Sequence, residues 1–296
     1  MENLEHRYPT LTDIWSLSPL QAGLLYHSEL SKQATDAYTV QLVLTLTGTI
    51  DPTRIRHAGQ TLLDRHPNLR AAFTHTPDGQ PVQIITDHTQ LPWTETDLTS
   101  VSPDARMDEL TRVIDADRHT RFDLARAPLL RFLLITMGVG DYRLVVTNHH
   151  ILLDGWSTPL LLEELLTLYT RDGDTTALRA VTPYRDYLAW LARHPTEESR
   201  AAWAHAMAAI AEPTLLADAD RDWQPSTFPD EIRLDVDEQR TAALRRFAGD
   251  HNLTLNTIVQ TAWAIVLGTM TSHTDIVFGT TVSGRPPHIP GIETMI

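Results

Sequence analysis

Residues 143–159 read RLVVTNHHILLDGWSTP. Their first half has the apolar and β-branched composition of a strand. It breaks at His149 and His150, passes through a short apolar turn, and reaches Asp154 and Gly155. A helix-like run, STPLLLEELLTLYTRDG, follows. Consecutive side chains of an extended segment face opposite ways, so the two histidines do not share one role at one small site. One is expected to reach a cleft while its neighbour packs inside. Gly155 gives backbone freedom, and Ser157 or Thr158 can cap the helix. A strand-to-helix corner of this kind fixes a polar group at the edge of a fold.

Working outward, helix and strand signals alternate with adjacent hairpins. Ser18, Pro19 and Gln21 form the start signature of a helix in SPLQAGLLYHSEL. AYTVQLVLTLTG reads as a strand, and Asp51-Pro52 opens a helix that runs to Pro67. LRAAFTH with PVQII, and RFLLITMG with DYRLVVTNH, read as hairpins around a helix at MDELTRVIDADRHT. Later helices are expected at YRDYLAWLAR, ESRAAWAHAMAAI, EQRTAALRRFAGDH and LNTIVQTAWAIVLGTM, with strands at EIRLDV and DIVFGTTVSG. Residues 172–183 are small and polar, which suggests a boundary between a unit 1–175 and a unit 176–296. This is an α/β (α+β) pattern, and its hairpins disfavour a doubly wound nucleotide fold.

Composition narrows the function. The 296 residues carry 38 acidic and 24 basic side chains, a net charge of −14, which disfavours sequence-independent nucleic-acid binding. Without cysteine there is no thiol nucleophile, disulfide or thiolate metal site. No secretory signal or membrane-length apolar run is visible, so a cytoplasmic protein without membrane contact is expected. The ending SGRPPHIPGIETMI stops in a mixed apolar segment just after a strand signal. The expectation is that the domain continues past residue 296 or is completed by another chain.

A histidine near neutral pKa can take a proton from an amine or alcohol attacking an acyl group. The competing readings are a buried polar knot of His149, His150 and Asp154, and a metal site. The metal reading lacks a third ligand, since no HExxH or cysteine spacing is present. No GxSxG serine elbow offers an acyl-enzyme, so an acyl transfer here would be direct.

HHILLDG, His149 to Gly155, matches the HHxxxDG motif of the condensation domains of nonribosomal peptide synthetases, in the chloramphenicol acetyltransferase-like superfamily. SPLQAGLLYH, RHPNLRAAF, YRDYLAW and FGTTVSGRPPHIPGIETMI resemble further motifs of that family, in its order. The resemblance implies a two-lobed acetyltransferase-like fold, complete in its first lobe and partial in its second. It implies peptide bond formation, in which the amine of an acceptor aminoacyl carrier protein attacks the thioester of an upstream donor carrier. Both substrates would arrive on phosphopantetheine arms, with an adenylation domain adjacent and no cofactor or metal held by the domain itself.

His150 matches the motif histidine that accepts the amine proton or orients the amine. His149 matches a supporting histidine, and Gly155 the glycine that permits close approach. Asp154 matches a structural aspartate expected to pair with the arginine of the second motif, Arg65. Tyr26, His27, Trp156, Ser157 and Arg285 are candidate linings of the substrate tunnel. Against that, aromatics at helical spacing are more often core, Trp156 more simply packs, and Arg285 could bond a nearby carbonyl. Arg70 fits a role in the fold. The histidine pair differs from the heterocyclising subtype, and Trp156-Ser157 from the epimerising one. The first and third motifs look like the subtype that accepts a donor ending in a D-residue. Two other functions fit the same residues: a recruiting domain with a silent centre, and a free-standing acyltransferase acting on a small amine or alcohol.

Overall fold

The computed structural model describes residues 2–30, 36–194, 196–216 and 232–296. They divide into two compact units, Met1–His194 with Gly284–Ile296, and Pro195–Ser283.

The first unit contains two sheets. One has strands β1 (Leu11–Ser16), β4 (Pro81–Thr86) and β3 (Ala71–His75) in the order β1-β4-β3, all antiparallel. The other has β2 (Thr39–Thr47), β7 (Asp141–His149), β6 (Leu130–Gly138) and β5 (Trp93–Asp97) in the order β2-β7-β6-β5. β5 joins β6 in parallel, and the other pairings are antiparallel. Both expected hairpins are present. The structure adds β1, β5 and a short helix α1 (Glu2–Arg7), none of which carries a strong sequence period.

Helix α2 (Pro19–Leu30) opens with a reciprocal capping box: the Gln21 N–H donates to Ser18 Oγ at 3.2 Å, and the Ser18 N–H to Gln21 Oε1 at 3.0 Å. Helix α3 (Pro52–Arg65) is capped by Asp51, whose carboxylate accepts from the Arg54 N–H at 3.1 Å. Helix α4 is Pro103–His119, α5 is Ser157–Thr170 and α6 is Tyr184–Arg193.

Period-two alternation divides the four-stranded sheet between two cores. Leu130, Phe132, Leu134, Leu144 and Val146 enter the main core with Leu62 of α3 and Leu161, Leu165 and Leu168 of α5. Leu133, Ile135 and Val145 point the other way and pack with Leu110 of α4. Each leucine buried to this extent is worth about 1.5–3 kcal/mol. On the α4 face, Thr147 donates to Asp117 Oδ2 at 2.5 Å, which puts His149, two residues on, on that side of β7.

This unit extends past the residue-175 boundary expected from composition. Leu188 of α6 is part of the main core, and the segment 284–296 packs on α6. Ile289, Ile292 and Met295 cluster with Tyr184, Tyr187 and Trp190. At Gly291, where φ is +77°, a Cβ would lie 2.1 Å from Thr182 Oγ1, so glycine alone permits this return of the chain.

The second unit contains helices α7 (Thr196–Ala206), α8 (Glu238–Asp250) and α9 (Leu255–Thr271), as expected. The strands expected at EIRLDV and DIVFGTTVSG are not formed in its described residues; Glu231 of the first lies outside them. β-propensity needs a neighbouring ladder, and the described part of this unit has no strand to supply one. Among the described residues no single helix is long and apolar enough to cross a membrane.

Candidate active site

The 149–157 corner is tied down at the backbone first. His149 N–H donates to Leu129 O at 3.0 Å, His150 N–H to Tyr38 O at 2.8 Å, and Leu152 N–H closes the turn on His149 O at 3.0 Å. The two adjacent histidines then part company, as strand alternation requires. His149 is wholly buried and His150 is exposed.

Their hydrogen bonds assign opposite tautomers. The Nδ1 of His150 lies 2.9 Å from Leu153 O. A carbonyl oxygen only accepts, so Nδ1 carries the proton and a neutral ring keeps its lone pair on Nε2. No hydrogen-bond partner for that Nε2 exists among the described residues, and the ring presents a free base to solvent. At His149 the Ile151 N–H donates to Nδ1 at 3.1 Å, which places the proton on Nε2. That nitrogen faces Ser28 Oγ at 3.2 Å and Asp36 Oδ2 at 3.4 Å. Burial pushes the Asp36 carboxyl up, yet the bonds from His149 and the Tyr38 N–H, with the charge of Arg121, leave it below its usual value. His149 is thus a strut between β7, α2 and the start of β2.

Asp154 organises the exit of the turn. Its Oδ1 accepts from the Ser157 N–H at 2.7 Å, so Asp154, and not Ser157 or Thr158, caps α5. Its ionic partner is Arg285, at 3.1 and 3.3 Å, and the expected pairing with Arg65 is not formed. Arg65 bonds Glu164 of α5 at 3.1 Å and also donates to Arg179 O. The reason lies in position: Arg65 ends α3 opposite the middle of α5, whereas Arg285 arrives with the returning segment beside the start of α5. Arg285 also donates to Ser157 Oγ at 2.9 Å and to Ile292 O and Met295 O at 2.6 and 2.8 Å. Burial raises the Asp154 carboxyl, but the Ser157 bonds and the Arg285 charge outweigh it and hold the pKa below the usual value.

The remaining candidates divide. Ser157 is buried with its hydroxyl held by Arg285, so it lines no open space. Trp156 is half exposed, its Nε1–H donates to Glu293 O at 2.9 Å, and Arg285 lies over its ring at 5.7 Å. Tyr26 and His27 are exposed on α2 and meet edge to face at 5.5 Å, so neither belongs to the core. Gly155 has no positive φ, and no atom lies within 4 Å of where its Cβ would stand. The turn itself therefore does not require glycine, and the space beside its Cα is open. Arg70 is buried, donating to the carbonyls of Leu63 and Thr86, a role in the fold.

Sequence reasoning read Gln21 only as a capping residue and gave no site role to Gln83 or Tyr184, yet the three side chains meet behind the turn. Gln21 Nε2 donates to Ile151 O at 3.1 Å, Gln83 Nε2 to Gln21 Oε1 at 3.0 Å, and Tyr184 OH to the same oxygen at 3.3 Å. The capping-box pattern located Gln21 but did not reveal its second partner 130 residues away. Among the described residues no group of three or more His, Asp or Glu could hold a metal ion.

A family model described as Condensation domain matches residues 12–296. One of the linear gramicidin synthase proteins of Brevibacillus parabrevis is 35% identical over 97% of this chain, and the match spans 6% of that protein. Bacitracin synthase 3 of Bacillus licheniformis is 31% identical over the whole chain and 5% of its own length. The chain therefore corresponds to a small part of these curated relatives. In fold it is similar to the first condensation domain of the calcium-dependent antibiotic synthetase, with a TM-score of 0.77 at 22% identity over 96% of this chain and 67% of that one. A four-domain nonribosomal peptide synthetase bound to AMP and glycine gives 0.71 at 21% identity, covering 88% of this chain and 20% of that one.

Proposed function

The chain belongs to the condensation-domain family, and from that premise we propose that it forms peptide bonds between carrier-bound substrates at His150. The observation that carries this is the fixed tautomer: Leu153 O holds the Nδ1 proton, and the Nε2 lone pair stands free on an exposed ring. An acceptor amine attacks the donor thioester carbon, forming C–N and breaking C–S. Nε2 takes the proton that the amine nitrogen must lose, and the departing thiolate can receive it. The strands and caps around the turn hold the base in one orientation before substrate arrives.

The substrates in this reading are tethered to phosphopantetheine arms of a donor and an acceptor carrier protein, and an adenylation domain lies in the same assembly. The domain itself contributes no resident cofactor or metal, and it works in the cytoplasm. A donor ending in a D-residue is the finer part of the proposal, resting on SPLQAGLLYH and HHILLDGWS. Rates with matched D- and L-donors test that part separately.

The main test is product formation by the full-length protein with loaded donor and acceptor carriers, beside His150→Ala. A loss of at least roughly tenfold in the variant places proton transfer or amine alignment at His150. Unchanged product reduces His150 to a bystander. Carrier binding without any product from the wild type turns the reading into a recruiting domain, and product only with free amines or alcohols turns it into a free-standing acyltransferase.

A further inference from the structure

The His150 ring is oriented by Leu153 O, so whatever fixes the 149–153 turn also fixes the base. Beyond the backbone bonds, side chains anchor that turn from three sides. His149 holds it from inside through the Ile151 N–H, and Asp154 holds its exit through Ser157 and Arg285. The third comes from α2: Gln21, only 6% exposed, donates through Nε2 to Ile151 O. Its Oε1 accepts from the Ser18 N–H, from Gln83 Nε2 and from Tyr184 OH. Gln83 in turn donates to Ser16 O at 2.8 Å. The amide therefore has partners at both ends, with its orientation set by an acceptor side that only oxygen can fill.

We infer that Gln21 is a positioning residue for the proposed peptide bond formation, holding the Ile151 peptide so that Leu153 O keeps His150 in its Nδ1–H tautomer. This rests on the reading of His150 given above. Without the bond to Ile151 O, the peptide between residues 151 and 152 loses the side-chain bond that holds it, and Leu153 O can leave the ring. The site then loses both the tautomer and the direction of the lone pair. Tyr184, the titratable group bonded to Gln21, has a pKa pushed up to about 12 by burial, so it remains a neutral O–H donor. The other titratable groups acting on Tyr184 are the Tyr187 hydroxyl and the Asp154–Arg285 pair, whose charges already meet each other.

Gln21→Glu separates the roles of this side chain. A glutamate keeps the acceptor for the Ser18 N–H, so the capping box and α2 survive. Protonated, it can still donate to Ile151 O; ionised, it sets a carboxylate oxygen against that carbonyl. The expected result at pH 8 is a His150 ring that no longer shows a single Nδ1–H tautomer by 15N NMR, assigned with His150→Ala. Turnover falls roughly tenfold with KM unchanged. Leu110→Val, in the separate core under α4, controls for lost stability alone.

A wild-type ring tautomer at pH 8, with wild-type turnover, overturns the inference. Should the charge unfold the variant, Gln21→Met removes the donor without a charge, and the same ring spectrum decides. The ring measurement needs no substrate, so it stands even if peptide bond formation fails in the wild type. Conversely, intact chemistry with an unmoved ring removes Gln21 and leaves His150 in place.

Discussion

Two carboxylates of the first unit each meet an arginine, and they do different work. Glu164 lies in the middle of α5, 17% exposed, between Arg65 and the His66 ring at 2.7 Å, with His66 itself only 2% exposed. Asp154 lies at the start of the same helix, 41% exposed, with an Arg285 that is 12% exposed. The Glu164 contact joins α3 to α5 deep in the unit, whereas the Asp154 contact joins the histidine turn to a segment from the far end of the sequence. Depth governs how much energy such a contact carries, and position governs whether function feels it. The comparison predicts that stability and chemistry separate cleanly between the two sites.

The largest effect is expected at the deeper one. Glu164→Ala strands Arg65 and the buried His66, which costs about 3 kcal/mol by urea unfolding. Product formed per folded molecule should stay at the wild-type level, because nothing at Glu164 touches the 149–155 turn. Lost turnover in the fraction that remains folded would break the comparison. Asp154→Ala should reverse the order of effects. It loses an α5 cap and a partly exposed ion pair, a stability cost of about 1–2 kcal/mol. The turn exit moves with it, so turnover should fall roughly ten- to a hundredfold. Asp154→Asn keeps an acceptor for the Ser157 N–H and loses only the charge, and turnover between those of wild type and Asp154→Ala would sharpen the distinction.

Much of this corner was legible in the residue order. Alternation along β7 separated His149 from His150, and the buried and exposed rings follow that parity. Helices α2 and α3 begin where Ser18-Pro19 and Asp51-Pro52 place them, whereas the cap expected of Ser157 or Thr158 at α5 falls to Asp154. Partner choice was not legible: Arg65 and Arg285 are equally arginine, and only the return of residues 284–296 onto α6 decides which meets Asp154. Gln21 was hidden for the same reason, since a capping residue reveals its local bond and not its distant one. The expected strands at EIRLDV and DIVFGTTVSG show the opposite failure. Their composition suits a sheet, but a strand is a property of a pair, and propensity in one segment says nothing of its neighbour.

Acid titration offers the smallest and most discriminating test. Burial raises both carboxyls, but the His66 and Arg65 contacts hold Glu164 below its ordinary 4.5, and Ser157 and Arg285 hold Asp154 below its ordinary 3.8. A carboxyl with a lowered folded pKa adds stability that is complete above its unfolded value. That stability is lost as pH falls through the folded value, because the unfolded chain then binds the proton first. Unfolding free energy should therefore begin to decline near pH 4.5, where Glu164 enters, and steepen below 3.8, where Asp154 and the similarly lowered Asp36 join it. Glu164→Gln should delay the onset of this decline and leave the lower part intact, while Asp154→Asn should flatten only the lower part. Identical acid profiles in the two variants would mean that neither contact holds its carboxylate ionised, and the contrast between a deep clamp and a site corner would have no electrostatic basis.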